Sequence, residues 1–151
     1  MGVLRKFFTK ENERLILSAI KEAESHTSGE IRVRVEKKAG RHPMRTARKA
    51  FVRLGMRKTK LRNGVLFFLG VNQRRFVVLG DDGINNNVPE GFWGSVRDVV
   101  QEHFQKGLFS EGLAEGIRRA GQQLATFFPC ERGDMDELAN AISYAREGRG
   151  K

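Results

Sequence analysis

Two apolar runs joined by a short polar turn constrain the fold of this chain more than any other feature. Residues 65–69 read Val-Leu-Phe-Phe-Leu, residues 76–79 read Phe-Val-Val-Leu, and the polar turn between them spans residues 71–74. Short apolar runs bounded by turn residues are typical of β-strands. A turn of this kind joins two strands into an antiparallel hairpin. The sequence therefore predicts a β-hairpin in the middle of the chain.

A strand and a helix precede the hairpin. Residues 31–35 alternate apolar and basic side chains, which is the period-two pattern of a strand with one solvated face. Pro43 opens a helix and Gly55 suits its end. The apolar side of this helix is formed by Ala47, Ala50, Phe51 and Leu54. The strand, the helix and the first hairpin strand form a βαβ unit, so the two strands are predicted to be parallel.

Helical patterns elsewhere complete the predicted order. One helix begins near Thr9, another follows Pro89, and another begins at Ser110. Asp134 and Glu137 have the spacing of a capping box. They predict a last helix that carries Leu138, Ala141 and Ile142. The predicted order is α-β-α-β-β-α-α plus a C-terminal helix, which is an α/β fold with a small mixed sheet.

The length of 151 residues is that of one domain. We interpret residues 1–129 as an α/β domain and residues 130–151 as a C-terminal helical tail. The longest apolar run, residues 65–69, is far shorter than the ~20 residues of a membrane span. The N-terminus lacks the hydrophobic stretch of a secretory signal, and the single Cys130 cannot form an internal disulfide. A cytoplasmic location is therefore expected.

The formal net charge of +10 is unevenly distributed. Residues 1–31 carry five basic and five acidic side chains. Residues 32–75 carry fifteen basic side chains and a single acidic one, Glu36, whereas residues 76–151 carry eight basic and twelve acidic ones. This polarity predicts a basic face that attracts polyanions and an acidic face that attracts cations.

The acidic candidate site follows from the predicted topology. The starts of the first two strands and the end of the third fall at the same edge of the sheet, and Gly80 and Gly83 permit a tight turn there. The oxygen-bearing side chains expected at this edge are the carboxylates of Glu30, Asp81, Asp82 and Glu90, with the amides of Asn63 and residues 85–87 nearby. Carboxylates without soft ligands suit Ca²⁺ or Mg²⁺. The alternative interpretation is a solvated turn, since Asp, Asn and Gly are ordinary turn residues.

Several segments, in their order, resemble the TPM domain family. Residues 61–68 read Leu-Arg-Asn-Gly-Val-Leu-Phe-Phe and residues 75–85 read Arg-Phe-Val-Val-Leu-Gly-Asp-Asp-Gly-Ile-Asn. They resemble the family's Asn-Gly-Val-Leu strand, hairpin and glycine-containing loop. Residues 109–117 are similar to its Gly-Leu-x-x-Gly-Ile helix. The resemblance covers residues 10–129 and implies a three-layer α/β/α sandwich.

The resemblance also implies a divalent metal ion, with calcium expected first and magnesium as the alternative. It places Asp81 and Asp82 in the loop and matches Glu90 to a later acidic position, whereas Glu30 comes from the topology. Some plant members of the family are described as acid phosphatases, so a metal-dependent phosphatase is one implied activity. In such an enzyme Asp82 or Glu30 would act as base and Arg62 would bind phosphate. No familiar phosphatase motif occurs in the sequence, and no catalytic residue is assigned.

A basic binding module without catalysis is the competing hypothesis. The basic side chains proposed to contact anions are Arg45, Arg48, Lys49 and Arg62, the first three on one broad side of the second helix. Cations arranged in this way bind nucleic acid or anionic lipid weakly, without specificity and with strong salt dependence. The simpler alternative is a solvated helix surface.

Overall fold

The computed structural model describes residues 7–130 and 141–145. Within these residues the chain forms five α-helices and four β-strands. In chain order they are α1 (Lys10–Glu24), β1 (Glu30–Glu36), α2 (Pro43–Arg53), β2 (Gly64–Gly70), β3 (Arg75–Gly80), α3 (Asp82–Asn85), α4 (Gly94–Gln105), α5 (Phe109–Leu124) and β4 (Ile142–Tyr144). The predicted α/β class is confirmed, and the short α3 is an additional helical turn after the hairpin.

The four strands form one mixed sheet in the order β3-β2-β1-β4. β1 and β2 are parallel with Ile31 opposite Val65, and β2 and β3 are antiparallel with Phe67 opposite Val78. Both directions agree with the predicted βαβ unit and hairpin. β2 is buried along its whole length because it has a strand on each side and helices above and below.

Helices cover both faces of this sheet. α1, α4 and α5 pack on one face, where the core includes Val33, Phe67 and Val78. α2 packs on the opposite face, where a smaller core joins Phe51 of the helix to Phe68 of β2. The neighbours Phe67 and Phe68 contact different layers because side chains alternate along a strand. The three-layer α/β/α sandwich is therefore confirmed.

Local signals set the start of α1 and both ends of α2. Thr9 is the N-cap of α1, where its hydroxyl accepts the N–H of Asn12 at 3.0 Å, so the predicted cap is confirmed. Pro43 is the first residue of α2, and Gly55, shortly after its end, has a φ of 74°. α5 already begins at Phe109, so Ser110 lies inside its first turn rather than at the cap.

The predicted C-terminal helix is wrong where the structure describes it. Ile142–Tyr144 form β4, which pairs in parallel with β1 and places Ile142 opposite Val33. The rest of that prediction, including Asp134, Glu137 and Leu138, lies outside the described residues. The strand forms because β1 would otherwise expose an edge of backbone groups, and residues 142–144 of the predicted tail complete the sheet.

α1 and α5 approach so closely at Gly121 that even a methyl group has no room there. A Cβ on Gly121 would lie 2.6 Å from the Cβ of Ala23 and 2.7 Å from its Cα. We expect Gly121→Ala to lower the free energy of unfolding by about 1–3 kcal/mol through overpacking, although alanine is the better helix former. Urea denaturation measures the change. The control is Gly94→Ala, whose Cβ meets no atom within 4 Å. A Gly121→Ala variant with an unchanged free energy of unfolding would contradict the close approach of the two helices.

Candidate functional site

Three strand ends meet at one edge of the sheet, as the topology predicts. Glu30, at the start of β1, lies opposite Gly64, at the start of β2. The N–H of Asp81, directly after β3, donates to the carbonyl of Gly64 at 3.0 Å. Glu30, Asp81 and Asp82 are therefore gathered along this edge, and together they are called the acidic edge below.

Asp81 is a buried carboxylate held by three hydrogen bonds. Its side chain is 4% exposed. Nε of Arg62 donates to Oδ2 at 2.8 Å, and Nη2 of the same guanidinium donates to Oδ1 at 2.9 Å. The N–H of Asp82 also donates to Oδ1, at 2.7 Å, so Asp81 caps the short α3. A buried carboxylate requires donors of this kind to offset its lost hydration.

The backbone around Arg62 is shaped to make this pair. Arg62 has a φ of 52°, in the left-handed region that side chains other than glycine seldom adopt. Its carbonyl accepts the N–H of Gly83 at 2.9 Å. A Cβ on Gly83 would lie 2.5 Å from that oxygen and 2.1 Å from the carbonyl oxygen of Leu61, so only glycine fits. The hydrogen bonds to Asp81, together with the charges of Asp81 and Asp82, raise the pKa of Arg62 above its ordinary value.

Asp82 and Glu90 lie at the surface. The side chain of Asp82 is 69% exposed, and its Oδ2 is 3.4 Å from Nη2 of Arg62. The guanidinium of Arg62 is thus shared between two carboxylates. Glu90 is exposed, and its side chain forms no hydrogen bond or ion pair with any residue that the structure describes. The structure therefore joins Asp81 and Asp82 through one cation but does not link Glu90 to them.

Glu30 belongs to a buried ion cluster with the end of α1. Its Oε1 lies 3.7 Å from Nη2 of Arg32, and both side chains are almost fully buried. Nη1 of Arg32 donates to Oε2 of Glu24 at 3.1 Å, and that oxygen also accepts the N–H of Ile31 at 2.8 Å. The alternation in β1 predicted one solvated face, but Arg32 is buried because these two carboxylates compensate its charge.

No group of three or more His, Cys, Asp or Glu side chains within residues 7–130 and 141–145 is arranged to hold a metal ion. Two carboxylates share the guanidinium of Arg62, and Glu30 pairs with Arg32. Metal binding by Glu30, Asp81, Asp82 and Glu90 therefore remains a prediction. A metal ion at Asp81 and Asp82 would compete with Arg62 for their carboxylates.

Small polar residues support the turn before β2, and sequence reasoning missed two of them, Ser28 and Thr59. Asn63 is 2% exposed. Its N–H donates to the hydroxyl of Thr59 at 3.1 Å, and its side-chain nitrogen donates to the hydroxyl of Ser28 at 3.2 Å. Its carbonyl accepts the N–H of Glu30 at 3.3 Å. The only signal for Ser28 and Thr59 was a short polar side chain near each strand start, and together these bonds fix the backbone that carries Arg62.

The predicted anion-binding residues fall in two places. Arg45, Arg48 and Lys49 are exposed on the outer side of α2, opposite the buried Ala47 and Ala50. These three cations are called the basic face of α2 below. None of their side chains forms an ion pair or a hydrogen bond with another residue in the described part of the chain. Arg62, by contrast, is held at the acidic edge.

The chain matches a known family along most of its length. The model of the TPM domain matches residues 4–123. The chain belongs to the TPM domain family. No curated protein matches it. Among the described residues of this TPM domain, none of the helices combines the length and the apolar character that crossing a bilayer requires.

Two solved structures share the fold. The BA42 protein of the psychrophilic bacterium Bizionia argentinensis, solved by NMR, is 43% identical, with a TM-score of 0.88 over 96% of this chain and 100% of that one. The N-terminal domain of a P. gingivalis protein, also solved by NMR, is 23% identical, with a TM-score of 0.67 over 83% of this chain and 82% of that one. The second likeness concerns the fold alone.

Proposed function

We propose that this TPM domain binds a divalent cation at the acidic edge, with calcium preferred over magnesium. The observation that carries the proposal is the position of Arg62, whose guanidinium lies within 2.9 Å of Asp81 and 3.4 Å of Asp82. Asp81 and Asp82 carry two negative charges against the single positive charge of Arg62, so this point retains a net negative charge that attracts cations. A divalent ion would find its first two ligands at that point.

Residues in and directly after α3 carry further oxygen atoms of the kind that bind a hard cation. The carboxylate of Asp82 is exposed. The side-chain nitrogens of Asn85 and Asn87 donate to the carbonyls of Gly80 and Gly83, at 2.9 and 2.7 Å. Their carboxamide oxygens accept no hydrogen bond from a described residue. Carboxylate, carboxamide and water oxygens are the ligands of calcium, which tolerates irregular geometry better than magnesium. With two carboxylates we expect weak binding, about 10⁻⁴ to 10⁻³ M.

The decisive test is a calorimetric titration of the metal-free protein with Ca²⁺ and with Mg²⁺. We expect saturable Ca²⁺ binding that Asp82→Asn abolishes, because this change removes an exposed ligand without touching the buried Asp81. The matched control is Asp98→Asn, which removes one exposed carboxylate from α4. Absence of Ca²⁺ binding at millimolar concentration would overturn the proposal. If both variants weaken Ca²⁺ binding equally, surface carboxylates attract the ion nonspecifically and the acidic edge is not its site.

Hydrolysis of phosphate esters extends this proposal. A bound divalent ion would polarise phosphoryl oxygens, and the fork of the Arg62 guanidinium has the shape that binds phosphate through two parallel hydrogen bonds. Arg62 becomes available to phosphate only when its bonds to Asp81 are released. Hydrolysis of p-nitrophenyl phosphate that requires added cation and disappears in Asp82→Asn would support this activity. Activity that persists without cation would contradict it.

The basic face of α2 favours polyanion binding as a second function. Its three cations are exposed and uncompensated within the described residues. α2 packs on β2 and β3 from the side of the sheet opposite α1, α4 and α5, which leaves its outer surface open. Cations placed in this way attract phosphate-rich surfaces, and added salt weakens the attraction.

A further inference from the structure

The surface around α2 combines charge with exposed apolar side chains. Exposed basic side chains continue beyond the basic face at Arg41, Arg53, Arg57, Lys58 and Lys60. Among the described residues, six large apolar side chains are markedly exposed, and three of them fall in this stretch. They are Met44 at 38%, Val52 at 57% and Leu61 at 56% exposure. Apolar exposure is therefore concentrated where positive charge is concentrated.

Val52 stands within the basic face itself. It follows Arg48 by four residues and Arg45 by seven, and these spacings place all three on one side of a helix. The inner side of α2 is occupied by Ala47, Ala50 and Phe51, so Val52 does not contribute to the core. The apolar side chain of Val52 is costly to hydrate, and no described element of the fold packs on the outer side of α2 to cover it.

We propose that the basic face of α2, with Val52 and Met44, binds the surface of a bilayer that contains anionic lipids. The inference rests on the second proposed function, polyanion binding, and names its partner. Anionic headgroups attract the cations, while the boundary between headgroups and acyl chains accepts apolar side chains. A nucleic acid would supply phosphates only, since the one aromatic residue of α2, Phe51, is buried and cannot stack on bases.

Sedimentation with vesicles tests the inference on the full chain. We expect binding to phosphatidylcholine vesicles that contain about one-third phosphatidylserine, with loss of binding at high salt. The variant Arg45→Gln/Arg48→Gln/Lys49→Gln should bind on the order of a hundredfold more weakly, since each cation near the surface contributes about fivefold. The matched control is Arg97→Gln/Lys106→Gln/Arg119→Gln, which removes three exposed cations from the opposite layer. The control should change binding by only about twofold because distant charges are screened.

Val52→Ser separates a bilayer from a nucleic acid. The change keeps every charge, so it should weaken vesicle binding about three- to tenfold through lost apolar burial and leave affinity for a short DNA duplex unchanged. If the basic face binds the duplex but not the vesicles, polyanion binding holds and the bilayer inference falls. If the protein binds neither, both fall. Vesicle binding that the triple variant retains would also overturn the inference.

Discussion

Asp81→Ala is expected to lower the free energy of unfolding by about 2–4 kcal/mol. The change removes two charge-assisted hydrogen bonds with Arg62 from a side chain that is 4% exposed, and such bonds contribute about 1.5–3 kcal/mol. It also removes the N-cap of α3, which costs about 1 kcal/mol more. Urea denaturation followed by circular dichroism measures the difference. Asp81→Asn should lower the free energy of unfolding by less, because an asparagine at this position still caps the helix.

The neighbouring carboxylate provides the control for this prediction. Asp82 is 69% exposed and lies 3.4 Å from the same guanidinium, so Asp82→Ala should change stability by less than about 0.5 kcal/mol. The two variants remove the same charge one residue apart, so the contrast isolates burial and geometry from net charge. Equal losses would mean that Asp81 stabilises the fold only through long-range electrostatics.

The acidic edge was predictable from the order of the elements, but its internal pairing was not. Parallel β1 and β2 followed by antiparallel β3 necessarily bring Glu30 and Asp81 to the same edge. The bond between Arg62 and Asp81 depends on a φ of 52° at an arginine, and no sequence pattern marks a left-handed arginine. The close contact of Gly83 with this turn, which holds the conformation, appears only in three dimensions.

The contrast between α2 and β4 shows that an element can be predicted from its sequence only if it is long enough to display a pattern. α2 has an apolar stripe, a proline at its start and a glycine shortly after its end, and all three signals agree. β4 has three residues, too few for a period to emerge. It exists because β1 offers an edge, where the N–H of Val33 donates to the carbonyl of Ala141 and the N–H of Ala145 donates to that of Val35, both at 2.8 Å.

The burial of Arg32 shows a different limit of sequence patterns. Alternation correctly identified β1, and the same alternation indicated a solvated side for its arginines. Glu24, at the end of α1, and Glu30 compensate the charge of Arg32 inside the fold. A local pattern reports which side chains are polar, whereas burial depends on a partner from another element.

Phe68→Ala is expected to lower the free energy of unfolding by about 3–5 kcal/mol, the usual cost of removing a fully buried phenylalanine. Phe68 has 0% exposure and lies in the small core between the sheet and α2, with Phe51 and Met56. This core is the main attachment of α2, which packs chiefly on β2 and β3. Loss of the ring should therefore also loosen the helix that carries the basic face.

Hydrogen exchange separates the local effect from the global one, with Phe67→Ala as the matched control. Phe67 is also 0% exposed but belongs to the larger core on the opposite face, where it packs against Phe76. Both variants should lose similar global stability. Only Phe68→Ala should accelerate exchange of the α2 amides beyond the global change, because local opening depends on local packing. Equal acceleration in both variants would show that α2 opens only with the whole domain. The basic face would then be as rigid as the sheet beneath it.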